Sequence, residues 1–391
     1  MVSTLRKYNF NYFYISLIIL WSVIQHYIGV DGKGRVPFFV TVVFLIYSIV
    51  NKGRKLFSKP LGIWLIWVVF ALLNTFFIQG SAMNPENRMA FFTNIISGPL
   101  IAYCIGVEYA NNRYLCLKYL GYILLTFTIG AISVPSQNVD EGHAISAFGN
   151  LVPISIVFLT FVFSLRYIFK DITFKFFGLI TLLSVTLIVA SATRKAFGGV
   201  AIVLFFTYLC QMKRLSVKTF AFTLLIAVGL YMMLGVLEST DLFERFITAK
   251  EKSYNSDYAD SWFLTMMDDR AIMYVGGWVV FLDNMWLGIG LYNFVNKGYS
   301  VYTLHTEYMV QLAECGLVGT TLFLAFYMQI VKGIFKAIKN KVPEALAYFG
   351  GFLTILFMSF TAWTYNQPVF FIGIGLILSF ISSNNKQYYY K

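Results

Sequence analysis

Charge is scarce in this sequence. Only 12% of its 391 residues are Asp, Glu, Lys or Arg, about half the share of an average soluble domain. Histidine occurs three times, and the four cysteines, Cys104, Cys116, Cys210 and Cys315, form no Cys-x-x-Cys pair. All four lie in or beside apolar runs, so they read as small buried hydrophobes rather than a zinc or disulfide framework. There is no Gly-x-Gly-x-x-Gly and no Walker lysine pattern, which argues against a nucleotide loop. No His-x-x-x-His or cysteine cluster points to a bound transition metal. No Gly-x-Ser-x-Gly marks a serine hydrolase. The apolar stretches do not alternate with polar residues as β-barrel strands would.

What is present is hydrophobicity: 58% of residues are hydrophobic and 19% aromatic, with a mean hydropathy of +0.70. Repeated apolar runs separated by short charged loops predict an all-α, polytopic integral membrane protein. Twelve spans are expected, near 11–30, 36–50, 61–78, 90–107, 119–134, 151–165, 176–191, 196–211, 219–237, 308–331, 345–363 and 369–382. The first follows Arg6 and Lys7 with no small-residue cleavage site, which predicts an uncleaved anchor. Residues 1–391 are expected to form one transmembrane domain.

The charge distribution tests this map. On a soluble protein a net charge of +12 would suggest nucleic acid. With the N-terminus in the cytoplasm, twenty of the thirty lysines and arginines and three acids fall on cytoplasmic segments. The inside then carries +17 and the outside −5, as the positive-inside preference requires. Both termini are expected in the cytoplasm, and no nucleic-acid partner is expected. Of the two longer outer loops, one is Pro135–Asn150 and the other spans 238–304. A loop of the latter length, rich in aromatic and aliphatic residues, is usually functional. Its stretch from Ala271 to Phe281 is apolar enough for a helix on or in the membrane surface.

The outer face has few cations, and their positions are informative. Arg194 and Lys195 end Ser191-Ala-Thr193-Arg-Lys, a tight turn between two spans. They either snorkel to lipid phosphates or form an anion site, with Ser191 and Thr193 adding hydroxyl donors to the planar fork of the arginine. Arg270 follows Asp268 and Asp269; it is either their ion-pair partner or a second phosphate ligand. His305 lies where the long loop re-enters the membrane. It is either a structural histidine or a general base, since imidazole titrates near neutrality. Glu307, Gln311 and Glu314 follow on one helical face. Acids entering a membrane are costly unless they face a cavity or pack against polar neighbours.

These residues and their order resemble the O-antigen polymerase and O-antigen ligase superfamily. The resemblance is carried by Arg270, Trp278, Gly288-Ile-Gly290, Phe294, His305-Thr-Glu-Tyr308 and Glu314-Cys-Gly316-Leu-Val-Gly319. Ser191-Ala-Thr-Arg194 and Ser146-Ala-Phe-Gly-Asn150 are similar to two further stretches of that family. The sequence departs from it at Thr306, where asparagine is common, and at Met285-Trp286-Leu287, where a proline often precedes the glycines. Pro153 stands two residues later than its usual place.

The resemblance implies a glycosyltransferase in the bacterial inner membrane. It would act at the outer face on undecaprenyl-diphosphate-linked glycans as donor and acceptor, without nucleotide, metal or other cofactor. It implies Arg194, Lys195 and Arg270 as ligands of the diphosphate, and His305 as the base for the acceptor hydroxyl, with Glu307 or Asp269 as rival bases. Ser191, Thr193 and Tyr308 would complete the substrate contacts, and a chain-length regulator would be a further partner. A polymerase of repeat units is the first expectation. A ligase to lipid A core or to protein is the second. A lipid-linked sugar transporter is the third, disfavoured because transporters hold their charges near the bilayer midplane.

Overall fold

The computed structural model describes residues 2–28, 35–56, 59–81, 83, 85–134, 151–190, 194–211, 271–299, 304, 306–360 and 362–384. Among these, every regular element is helical. In chain order the helices are α1 (Val2–Ile28), α2 (Arg35–Leu56), α3 (Lys59–Leu73), α4 (Pro85–Asn111), α5 (Arg113–Ile132), α6 (Leu151–Ile168), α7 (Phe174–Ala190), α8 (Arg194–Gln211), α9 (Ala271–Asp283), α10 (Asn293–Asn296), α11 (Glu307–Lys339), α12 (Ala345–Ser359) and α13 (Phe370–Asn384). Eleven of the twelve expected spans coincide with a helix. The other, 219–237, lies outside the described residues, as does most of the 238–304 loop.

Among the described residues, five helices are long and apolar enough to cross a membrane: Lys59–Ile78, Arg88–Asn111, Arg113–Ile132, Leu151–Ile168 and Glu307–Lys339. Large apolar side chains stand exposed along α2 (Phe39, Val43, Val50), α3 (Ile66, Val69) and α7 (Leu179, Leu182). Such a surface is suited to lipid rather than water.

The interior is equally apolar. α6 is buried from Val152 to Arg166, and α13 from Phe370 to Ser382. A helix that is hydrophobic and buried all round sits at the centre of its bundle. α13 packs on α4, and α6 packs on α5 and α8. Lipid offers apolar surface as good as a neighbouring helix does, so close packing must bring the helices together. Gly98 of α4 meets the ring of Phe371, and Gly373 of α13 meets that of Phe158, so a methyl group at either place would strike the ring.

Two features position the site. α3 ends in a π-turn, Asn74–Ile78, which widens the helix and turns the buried Asn74 and Thr75 inward. π-turns of this kind occur often at functional sites. The second feature is α11, whose backbone leaves helical geometry at Gly316, with φ 61° and ψ −168°.

Candidate functional site

A break in a helix leaves carbonyls before it and amides after it without intrahelical partners. In α11 these groups are taken by the segment that follows α9. The amides of Ile289 and Gly290 donate to the carbonyls of Ala313 (3.1 Å) and Glu314 (2.8 Å). The amides of Leu317 and Val318 donate to Met285 (2.8 Å) and Trp286 (3.2 Å). The result is a four-bond backbone clasp between two stretches about twenty-five residues apart in sequence.

The clasp accounts for two of its glycines. Gly288 and Gly316 have φ of +66° and +61°, a region that favours glycine. A Cβ on Gly288 would lie 2.5 Å from the carbonyl carbon of Glu314, and one on Gly316 would lie 2.5 Å from the amide nitrogen of Gly288. Each glycine makes room for the other's backbone.

The Glu314 side chain completes the clasp. Its two carboxylate oxygens accept the amides of Tyr292 (2.9 Å) and Phe294 (3.1 Å). Tyr292 has φ 62°, an uncommon conformation for a residue with a side chain, and the Glu314 bond holds it there. The π-turn secures the same loop from the other side. Asn74 Nδ2 donates to the Leu287 carbonyl (2.6 Å), and the Leu291 amide donates to Thr75 Oγ1 (2.9 Å). Asn293 Nδ2 reaches the carbonyls of Ile289 (2.7 Å) and Gly80 (3.1 Å).

Two turns earlier on α11, the fully buried Glu307 anchors a different segment. One carboxylate oxygen accepts the Thr364 amide (2.5 Å), the Thr364 hydroxyl (3.0 Å) and the Tyr365 amide (3.3 Å). The other accepts Gln311 Nε2 (2.7 Å), and Gln311 Oε1 in turn accepts Trp67 Nε1 (3.0 Å). Glu307 thereby ties α11 to α3 and to the short turn between α12 and α13. That turn meets the clasp through Tyr292, whose hydroxyl oxygen accepts Asn366 Nδ2 (2.5 Å). The Tyr292 ring stands edge-on to Phe91 (5.2 Å) and Trp363 (5.1 Å). Burial pushes the Tyr292 phenol well above its ordinary pKa, against the opposing bond from Asn366, so it stays neutral.

The geometry can now be set beside known proteins. Residues 179–324 match the family model described as O-antigen ligase. The match supports the resemblance of this segment to the O-antigen polymerase and ligase superfamily. Members of that superfamily are membrane enzymes of the glycosyltransferase kind that act on lipid-linked glycans. The match runs from α7 through the clasp into the middle of α11. No curated protein matches the chain.

Within the superfamily segment the expected site residues fall into two groups. Glu307 and Tyr308 are described and begin α11. The Tyr308 hydroxyl donates to the Leu356 carbonyl of α12 (2.9 Å), and its ring lies 4.8 Å from that of Phe360. Lys195 is half-buried in the first turn of α8. The contacts of Gly198 with Phe357 and of Gly350 with Phe206 set α8 antiparallel to α12. Lys195 therefore lies toward the Ser359–Phe360 end of α12, the end that also holds Thr306 and Tyr308. Arg194 opens α8, but its side chain lies outside the described residues, as do Ser191, Thr193, Asp269, Arg270 and His305. Both chain neighbours of His305 are held by α12 and the turn after it. Trp363 Nε1 donates to the Leu304 carbonyl, and Thr306 Oγ1 to that of Ser359 (3.4 Å). Among the described residues, no three His, Cys, Asp or Glu side chains come together as metal ligands would.

The turn Trp363–Gln367 holds none of the expected site residues. Its signal was present nonetheless: Trp-Thr-Tyr-Asn-Gln is a dense run of aromatic, hydroxyl and amide side chains between two apolar helices.

Proposed function

We propose that this chain is a polymerase of lipid-linked oligosaccharide repeat units, working at the outer face of the bacterial cytoplasmic membrane with both termini inside. The family match over residues 179–324 supports the transferase part of this reading, and it covers most of the segments the site is assembled from, apart from α12, the turn after it and α3. The donor would be a growing glycan on undecaprenyl diphosphate. A leaving group of that kind is already activated, so no nucleotide is needed.

Arg194, Lys195 and Arg270 would hold the diphosphate and stabilise the charge that develops as the glycosidic bond breaks. His305 would take the proton from the acceptor hydroxyl. Glu307 and Asp269 are the rival bases. The location of Lys195 toward the end of α12 that also holds Thr306 and Tyr308 supports drawing the anion site and the base from one end of the bundle. With all its hydrogen bonds made inside the protein, Glu307 is better suited to positioning the start of α11 than to accepting a proton. Ser191 and Thr193 would add donors to the anion site, and Tyr308 would support its wall. A chain-length regulator would be a partner of the polymerase.

The test is genetic and biochemical. Deleting the gene should leave a single repeat unit on the surface acceptor. Complementation with Arg194→Ala, Arg270→Ala or His305→Ala should fail to restore long chains, although each variant inserts normally. Each loss should be on the order of 10²–10³ in rate, by analogy with removed charge-stabilising groups. Normal chain lengths in all three would overturn the site. The family description itself favours a second reading, a ligase; in that case the deletion strain would carry no repeat unit on the acceptor at all.

A further inference from the structure

Buried polar atoms in folded proteins almost always have partners. Three that do not fall on consecutive residues here: the Tyr365 hydroxyl, Asn366 Oδ1 and Gln367 Oε1. Tyr365 is fully buried and Asn366 is 7% exposed. Each such group left unmade costs about 1–3 kcal/mol. The rest of the turn is well bonded, since Thr364 and Trp363 both have partners and Asn366 Nδ2 is fixed on Tyr292. That last bond also orients the amide and leaves Oδ1 as the unused acceptor.

We infer that the turn Trp363–Gln367 is the subsite for the sugar that receives the transferred chain, with Tyr365, Asn366 and Gln367 pairing with its hydroxyl groups. The inference rests on the transferase reading above. Two neutral amide oxygens and a phenol match a hydroxyl-rich, uncharged ligand. They do not match a phosphate, which calls for cations or amide donors. The nearby carboxylates of Glu307 and Glu314 are already engaged. The half-buried Trp363, 5.1 Å from Tyr292 and 6.2 Å from Tyr365 between ring centres, adds an aromatic ring of the type whose face sugar C–H groups pack against. Placement selects the acceptor rather than the donor. The Trp363 indole holds Leu304, the residue before the proposed base in sequence.

The experiment uses the full chain in lipid nanodiscs with a saturating lipid-linked donor. The acceptor is a lipid-free oligosaccharide repeat unit from the host's own surface glycan. Gln367→Met and Asn366→Ala should each raise the acceptor KM about threefold to tenfold, the value of one neutral hydrogen bond, with the donor KM unchanged. Removing the matching hydroxyl from the acceptor should cost the wild type the same factor and cost the variant little more. Unchanged acceptor KM in both variants, or a change confined to the donor KM, overturns the subsite while leaving the transferase reading in place. Should the wild type transfer nothing, that reading fails by itself, and equilibrium binding of the oligosaccharide followed by tryptophan fluorescence decides the subsite. Weaker binding by Gln367→Met supports it, and equal binding overturns it.

Discussion

Two glutamates on one face of α11 do different work. Glu314 receives two backbone amides of the loop it clasps, with glycine backbone on one side and the π-turn on the other. Glu307, seven residues earlier, receives a side-chain amide and the backbone of a turn whose next three residues carry unpartnered polar atoms. Both carboxylates are buried and both are fully bonded. The difference lies one step away: the Glu314 network is mostly backbone with a single open acceptor, Asn74 Oδ1, whereas the turn held by Glu307 carries three unpartnered polar atoms in a row. Burial alone therefore does not separate a structural acid from one beside a binding site. What its partners are bonded to does.

The sharpest way to break this contrast is at the clasp itself. Gly316→Ala places a methyl group 2.5 Å from the Gly288 amide at a positive φ. It should cost about 3 kcal/mol or more by combining overpacking with left-handed strain. Loss of monodisperse protein on size-exclusion chromatography would register it; a normal elution profile and melting temperature would refute the clasp. Glu314→Gln comes next. One of the two backbone amides would then face an NH2 group, at about 1–3 kcal/mol, so the melting temperature falls while transfer per folded molecule is retained. Glu307→Gln should lower the melting temperature by a similar amount, but transfer per folded molecule should fall as well, because the turn that holds Leu304 loses its anchor. Identical behaviour of the two variants in both readouts would erase the distinction between the sites. Tyr292→Phe is the mildest test, removing only the acceptor of Asn366 at the point where the two networks meet. About 0.5–1.5 kcal/mol is expected in thermal unfolding, and no change at all would mean that the networks are independent.

Much of the architecture was legible in the sequence because lipid imposes a simple code. Long apolar runs became helices, and the runs near 61–78, 119–134 and 151–165 were met by spans within a few residues. Edges were less legible. α11 continues to Lys339, well past the expected 331, because a helix can extend into a basic, amphipathic tail that carries no apolar signal. The glycine pairs and Glu314 stood out as letters of a resemblance, yet nothing in the letters said that the two stretches bind one another. Backbone-to-backbone bonds between distant segments leave no side-chain trace. The polar stripe of Glu307, Gln311 and Glu314 was read correctly as one face, but its partners Thr364, Tyr365 and Trp67 could not be, since they arrive from elements far away in sequence. The Trp363–Gln367 turn is short and carries neither a charge nor a histidine, so it lacks the marks that set apart the outer-face cations and His305.

The clasp has a consequence for how freely this part of the chain can change. Met285, Trp286, Ile289, Ala313, Leu317 and Val318 contribute only peptide groups to its four bonds, and every residue except proline supplies both of those groups. The joint is therefore specified by three missing side chains, at Gly288, Gly290 and Gly316, and by one carboxylate. The residues that bond through peptide groups alone can change in identity where packing allows, provided that the three gaps and the acid keep their distance.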